Sequence, residues 1–144
     1  MRILLSGSLL LSATLLCINA NVNERYQKFR NQHIIGEMSA NRCDAVIGSR
    51  RISETDSNEC KETNTFILAN ANTIRNICGQ AGEPYDQLTK SLQPFSIVVC
   101  TLRNAGARHP RCEYRGRART RRIAIRCEGG FPVHFGRDIV HFEN

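Results

Sequence analysis

The sequence lacks several features that would define common classes of small protein. Beyond the first 20 residues it has no apolar run long enough to span a membrane, no cysteine pair in the C-x-x-C spacing typical of zinc sites, and no internal repeat. Acidic residues are also few, 13 against 20 basic ones. These absences argue against a second membrane-inserting segment and against a zinc-stabilised domain.

The first 20 residues have the pattern of a secretory signal peptide. Arg2 precedes an apolar run from Ile3 to Ile18, and Ala20 supplies a small residue for cleavage. The run is shorter than the roughly 18 to 20 apolar residues of a membrane span, so an uncleaved anchor is the weaker alternative. We expect cleavage after Ala20 and a secreted, extracellular domain of residues 21–144. That domain has 19 basic and 13 acidic side chains, a net charge of +6, which favours polyanions such as RNA, acidic glycans or anionic lipid.

The cysteine count suits export. Cys17 would leave with the signal peptide, and an even set of six would remain: Cys43, Cys60, Cys78, Cys100, Cys112 and Cys127. In an oxidising compartment such a set predicts three disulfides rather than a metal site. Their pairing cannot be read from the spacing.

Hydrophobic periodicity predicts an α+β domain, with short helices first and strands later. The predicted helices are 24–34, capped by Asn23, then 41–48 and 70–78. The predicted strands are 63–68, 95–102, 111–117, 121–127 and 133–140, and 80–93 is predicted to be a loop. In the first helix Tyr26, Phe29 and His33 share one face, which places His33 at the edge of the buried stripe.

Three local motifs carry residues suited to phosphodiester chemistry. They are Gln32-His33, Cys60-Lys61-Glu62-Thr63-Asn64-Thr65-Phe66 and Pro132-Val133-His134-Phe135. Together with the order of the cysteines, they resemble the pancreatic ribonuclease (ribonuclease A) superfamily over nearly all of the chain after the signal segment. The resemblance implies three short helices packed on a bent antiparallel sheet, with disulfides Cys43–Cys100, Cys60–Cys112 and Cys78–Cys127.

The resemblance also implies a metal-independent endoribonuclease that needs no cofactor and cleaves single-stranded RNA after pyrimidines. His33 would take the proton from the ribose 2′-hydroxyl, His134 would protonate the leaving 5′-oxygen, and Lys61 would neutralise the phosphate. The product would be a 2′,3′-cyclic phosphate, and DNA could not be a substrate. Secondary roles would fall to Gln32 and the Phe135 N–H as phosphate donors, Asn64 as a support for the lysine loop, and Thr65 as the pyrimidine reader.

The chain departs from the family pattern near its C-terminal end. Gly136 stands where most of the family has an aspartate that orients the acid histidine, and Asp138 lies two residues further on. Val99 replaces an aspartate that tunes base choice in the pancreatic type. The 79–93 stretch has no cysteine, which is closer to the angiogenin-like branch. Arg137 stands near the position where a glutamine blocks the pyrimidine pocket of angiogenin.

An arginine cluster leaves other functions open. It comprises Arg108, Arg111, Arg115, Arg117, Arg119, Arg121, Arg122 and Arg126. Strand alternation places Ile123 and Ile125 on one face, and Arg122, Ala124 and Arg126 on the other, which makes Arg122 and Arg126 candidate phosphate contacts. The cluster could equally be a solvated surface.

The alternatives to a ribonuclease are a cationic host-defence protein acting on bacterial surfaces and an angiogenic ligand. Cell-surface glycans and ribonuclease inhibitor are further candidate partners of what we expect to be a monomer. Arg50-Arg51 weakly suggests nuclear entry after uptake, and His109 and His141 are expected at the surface.

Overall fold

The computed structural model describes residues 20–54 and 57–140, so the predicted signal peptide before Ala20 and the surface position predicted for His141 lie outside the described residues. Helix α1 covers residues 20–33. A 3-10 turn at Ala40–Arg42 leads into α2, Cys43–Ser49, and α3, Ala71–Arg75, continues as a 3-10 turn over Asn76–Cys78. Within this part of the chain, no helix combines the length and apolar character needed to cross a bilayer.

An asparagine side chain caps the start of α3, but the asparagine predicted to cap α1 does not. The Asn70 side chain accepts a 2.8 Å hydrogen bond from the Thr73 backbone N–H and so caps α3. Asn23, by contrast, does not cap α1, because the chain is already helical at residue 20. The cap predicted there is wrong, and the Asn23 side chain instead accepts a long hydrogen bond from Gln27 within the helix.

In the described residues, seven strands form one curled sheet in the order β1-β2-β5-β6-β4-β3, with β7 paired to β6. Their bounds are Ile34–Ile35, Thr63–Leu68, Gly82–Tyr85, Leu88–Ser91, Phe95–Leu102, Tyr114–Glu128 and Phe131–Val140, numbered β1 to β7. The sheet is antiparallel apart from the two-residue pairing of β1 with β2, which is parallel. The predicted α+β class is confirmed, and the sheet is mixed rather than purely antiparallel.

Two strand predictions were wrong. Residues 80–93 are not a loop but hold the β3–β4 hairpin, in which Gly82 pairs with Ser91. Pro84 is tolerated because β3 lies at the sheet edge, where a missing N–H leaves no partner unsatisfied. Residues 114–128 form one strand instead of two, since β5 pairs with β6 up to Arg121 and β7 pairs with it from Arg121 onward.

Two apolar cores lie on opposite faces of the sheet. On the α2 side, Ile47, Phe66 and Val98 pack together. On the α1 side, Phe29 packs with the isoleucines of β2, α3, β5 and β6, among them Ile67 and Ile123. Phe29 is 2 % exposed, so it anchors α1 and fixes the helix end that carries His33.

Three disulfides cross-link the described part of the chain. They are Cys43–Cys100, Cys60–Cys112 and Cys78–Cys127, which confirms the pairing implied by the resemblance. Each closes a loop of about 50 residues, which the chain-entropy treatment values at about 3 to 4 kcal/mol.

Candidate active site

A cleft of about 770 Å³ lies on the α1 side of the sheet, between the end of α1, β2 and β7. Seven of the predicted site residues line it: Gln32, His33, Lys61, Thr65, Arg126, His134 and Phe135. Asn64 lies behind the cleft wall, and Arg122 lies elsewhere. Three motifs that are far apart in sequence therefore meet at one cavity.

His33, at the last turn of α1, is held by the backbone of β2. Its Nδ1 lies 2.8 Å from the carbonyl oxygen of Thr65. Because a carbonyl can only accept, Nδ1 carries the proton, and the lone pair of the neutral ring is on Nε2. The ring stacks 5.2 Å from that of Phe135 and lies 5.1 Å from that of Phe29.

The protonation state of His33 follows from its surroundings. Burial, the Lys61 ammonium and the His134 imidazole lower the His33 pKa to about 3, although the Thr65 carbonyl works in the opposite direction. The group is therefore neutral at physiological pH. A neutral imidazole with a defined free lone pair is the form required of a proton acceptor.

Lys61 is positioned by two polar contacts. Its Nζ donates to Asn64 Oδ1 at 3.0 Å, and the Tyr114 hydroxyl donates to the Lys61 carbonyl at 2.7 Å. Asn64 in turn donates to the carbonyl of Gln32 at 2.8 Å, so one buried amide links the lysine loop to the end of α1. Burial lowers the Lys61 pKa, with Glu54 opposing the change and Lys28 reinforcing it.

His134 lies on β7, opposite Arg126 of β6, and is the more exposed of the two imidazoles. Burial lowers its pKa, and the charges of Arg126, Lys61 and Arg25 lower it further. Among the described residues, no side chain is hydrogen-bonded to its ring. Asp138, two residues beyond Gly136, instead forms an ion pair with Arg121 at 3.5 Å.

The cleft also contains cations that the sequence reasoning missed. Arg25 and Lys28 line it from α1, and Arg25 forms an ion pair with Glu128. Their spacing in the sequence indicates this position, because Arg25, Lys28 and Gln32 are spaced i, i+3, i+7 and so share one helix face with a predicted site residue. Arg137 lies at the cleft as well, with an exposed side chain.

The two arginines named as phosphate contacts are placed differently. Arg126 is exposed at the cleft, whereas the Arg122 guanidinium donates to the Leu92 carbonyl at 2.9 Å, away from the cleft. Ile123 and Ile125 lie in the same apolar core, as the predicted alternation requires, and Ala124 between them is also buried. The register of β6 against β7 shifts between Ala124 and Ile125, because Gly136 of β7 is an extra residue between the partners Arg137 and Phe135.

The charged side chains that line the cleft favour the binding of an anion. Asp138 is the one carboxylate lining it within the described residues, and its charge is matched by Arg121. Lys28, Lys61 and Arg126 therefore give the cleft a net positive potential beside two imidazoles whose pKa values are lowered. In the same part of the chain, no cluster of three or more His, Cys, Asp or Glu side chains is arranged to hold a metal ion.

The chain is similar to known proteins over most of its length. The family model described as pancreatic ribonuclease matches residues 24–136. Ribonuclease-like 3 of Danio rerio is 39% identical over 125 residues, covering 84% of this chain and 83% of the relative. Angiogenin-4 of Mus musculus is 38% identical over 122 residues, covering 82% of this chain and 81% of the relative.

Solved structures show the same fold. The X-ray structure of zebrafish RNase5 superposes with a TM-score of 0.79 at 44% identity, over 81% of this chain and 96% of that one. A structure of RNASE ZF-1A gives a TM-score of 0.79 at 48% identity, over 83% of this chain and 94% of that one. The chain belongs to the pancreatic ribonuclease family.

Proposed function

We propose that this protein is a ribonuclease that cleaves single-stranded RNA after pyrimidines by transphosphorylation to a 2′,3′-cyclic phosphate. The observation that supports it most strongly is the shared cleft of His33, Lys61 and His134. The three groups influence one another electrostatically: His33 responds to both Lys61 and His134, and His134 responds to Lys61. We propose that one bound phosphate contacts all three.

In this proposal His33 Nε2 accepts the proton of the ribose 2′-hydroxyl, because the Thr65 carbonyl already holds the Nδ1 proton. The 2′-oxygen attacks phosphorus, the bond from phosphorus to the 5′-oxygen breaks, and protonated His134 gives its proton to that leaving oxygen. A water molecule later opens the cyclic phosphate with the two roles reversed. DNA lacks the 2′-hydroxyl and would not react.

His134 must be protonated for this reaction, although burial and neighbouring cations lower its pKa in the free protein. An RNA phosphate in the cleft would offset the charges of Arg126 and Lys61 and so raise that pKa. The substrate would thus help to create the acid that its own cleavage requires. Lys61, held by Asn64, would neutralise the charge that builds on the non-bridging oxygens.

Base preference would come from the wall formed by Thr65 and Phe135. The Thr65 hydroxyl can donate or accept, which matches both uracil and cytosine, and the Phe135 ring offers a surface for base stacking. Val99, next to Thr65 on β5, cannot hydrogen-bond a base. We therefore propose that uracil and cytosine are distinguished only weakly.

We also propose that the protein acts outside the cell. All six cysteines among the described residues are paired in disulfides, which form and persist in oxidising compartments. Secretion is tested by expressing the full chain in animal cells and sequencing the N-terminus of any protein in the medium. A start at residue 21 would support export with cleavage after Ala20, and retention of the whole chain in the cytosol would reject it.

The catalytic assignment is tested with poly-uridine and the variants His33→Ala and His134→Ala. Each should lower turnover by at least about 100-fold, since each removes one proton-transfer partner. His109→Ala is the matched control, because His109 does not line the cleft. Wild-type rates in the His33→Ala, His134→Ala double variant would reject the assignment.

A further inference from the structure

The strand ladder that carries His134 is irregular on both sides of it. The register of β6 against β7 shifts before and after the pair that His134 forms with Arg126. Val133 on one side and Gly136 on the other are extra residues of β7 without a partner in the ladder. Because a bulge locally disrupts the ladder and bends the strand that carries it, contacts outside the ladder must contribute to the position of His134.

The end of the β6–β7 hairpin is held by α1. Glu128 and Phe131 are the last partners in the ladder before the turn at residues 129–130. Arg25 forms an ion pair with Glu128, and the Tyr26 ring lies 5.0 Å from the Phe131 ring, tilted by 50°. Two consecutive residues of α1 therefore contact both strands of the hairpin at the same level.

Phe131 also contacts α3. The Arg75 guanidinium lies 4.0 Å from the centroid of the Phe131 ring, well within the range of a cation–π interaction. The Tyr26 ring is 7 % exposed and has the Arg30 guanidinium 5.6 Å from its centroid. The Phe131 ring is thus the point where α1, α3 and the β6–β7 hairpin meet.

Helix α1 and strand β7 meet a second time at the cleft. His33 follows Tyr26 by seven residues, about 10.5 Å along α1, and Phe135 follows Phe131 by four residues, at most about 14 Å along β7. There the rings of His33 and Phe135 lie 5.2 Å apart. His134 lies on the short piece of β7 between these two contacts with α1.

We propose that Phe131 is a positioning residue for His134: its contacts with Tyr26 and Arg75 fix the start of β7, so that the His134 ring faces the phosphate that His33 also contacts. This inference rests on the proposed function, in which His134 protonates the leaving oxygen. His33 has its own support from the Thr65 carbonyl, and Phe131 does not line the cleft. Loss of the Phe131 ring should therefore impair proton transfer from His134 more than the other steps.

Two substrates separate that proton transfer from the rest of the reaction. Adenosine needs a proton to leave uridylyl-adenosine, whereas 4-nitrophenolate leaves uridine 3′-(4-nitrophenyl phosphate) without one. The test variant is Phe131→Leu, which keeps an apolar side chain and removes the ring, and Phe131→Tyr keeps the ring. Phe95→Leu is the matched control, because Phe95 is also half-buried and also lies outside the cleft.

We expect Phe131→Leu to lower kcat on uridylyl-adenosine about tenfold, with KM and the kcat on the nitrophenyl ester within about twofold of wild type. Phe131→Tyr and Phe95→Leu should stay within about twofold of wild type on both substrates. An unchanged kcat in Phe131→Leu, equal losses on its two substrates, or the same loss in Phe95→Leu would overturn the proposal.

NMR relaxation tests the role of Phe131 independently of catalysis. In Phe131→Leu the backbone order parameter of His134 should fall from about 0.85, typical of rigid backbone, toward about 0.6, and in Phe95→Leu it should not change. An order parameter in Phe131→Leu as high as in wild type would overturn the proposal. If His134→Ala cleaves uridylyl-adenosine like wild type, the proposed function fails, and the order parameter still decides whether Phe131 positions His134.

Discussion

Leu88 of β4 fills the space beside Gly136 of β7, two residues from His134. A Cβ atom built on Gly136 would overlap the Leu88 side chain and would lie 2.9 Å from the carbonyl oxygen of Ala124. The β3–β4 hairpin therefore packs, through Leu88, into the space that an aspartate side chain would need at this position. At this point, hydrophobic contact replaces the carboxylate that the family resemblance leads one to expect beside the acid histidine.

Restoring the aspartate alone should therefore damage the protein. Gly136→Asp should lower the free energy of unfolding by about 1 to 3 kcal/mol, because the new side chain meets both the Leu88 side chain and the backbone carbonyl of Ala124. Adding Leu88→Ala removes the side-chain part of this crowding, so the double variant should cleave uridylyl-adenosine faster than Gly136→Asp does. Urea unfolding and dinucleotide kinetics measure the two effects, with Leu88→Ala alone as the control. Full stability of the single variant would show that Leu88 does not constrain this position.

Arg126 should set the acidity of His134. Its charge is the main electrostatic cause of the lowered His134 pKa, after burial. Arg126→Gln should therefore raise that pKa toward its ordinary value of 6.5, as followed by the ring proton shifts of His134 in an NMR titration. Arg103→Gln removes an equal charge from an exposed site outside the cleft and should leave the titration unchanged. A decrease in pKa for Arg126→Gln would contradict the electrostatic assignment.

His33 should make the fold sensitive to acid. Its pKa is about 3 when folded and 6.5 when unfolded, so between these values the unfolded chain binds more protons. The resulting stability is fully present above pH 6.5 and is lost as the pH falls toward 3. Urea unfolding at about pH 7 and about pH 4 should show a larger decrease in stability for wild type than for His33→Asn, which cannot be charged. Equal decreases would mean that His33 is not buried in its neutral form.

The amide of Asn64 should matter for catalysis although Asn64 does not line the cleft. It is 1 % exposed and joins Lys61 to the Gln32 carbonyl, so Asn64→Ala leaves the ammonium without its support. We expect kcat on uridylyl-adenosine to fall about tenfold with a smaller change in KM, together with a decrease of about 1 to 3 kcal/mol in stability.

Asn104→Ala provides the matched control for that experiment. Asn104 also makes several side-chain hydrogen bonds, to Arg111 and Glu113, but it lies outside the cleft. Its variant should be less stable than wild type and keep its kcat. A similar drop in kcat for both variants would assign the effect of Asn64 to general destabilisation instead of to the position of Lys61.

The sequence correctly predicted those helices and strands whose own residues favour the conformation that they adopt. The strand at Thr63–Leu68 and the buried face of Phe29 and His33 follow from periodicity, and the disulfide pairing follows from the family resemblance. The β3–β4 hairpin was missed because Gly82 and Pro84 disfavour strands locally, and pairing of Thr89 and Lys90 with β6 helps to stabilise it.

Features of the site that depend on contacts between distant segments could likewise not be predicted from the sequence. The arginine-rich segment of β6 carries no apolar alternation, so its continuity depends on partners supplied by β5 and β7. The contact between Leu88 and Gly136 joins two such elements, and no local pattern points to it. Likewise, the lowered pKa values of His33 and His134 arise from burial and from charges that only the folded chain brings close.

The most direct test of the account is to follow the products of uridylyl-adenosine and of its 2′-deoxyuridine analogue, with the wild-type protein in the presence of a metal chelator. The account predicts that the ribose substrate gives adenosine and uridine 2′,3′-cyclic phosphate first, then uridine 3′-phosphate, and that the deoxy analogue stays intact. Cleavage of both substrates, or a first product that carries a 5′-phosphate, would contradict the placement of His33, Lys61 and His134 around one reacting phosphate.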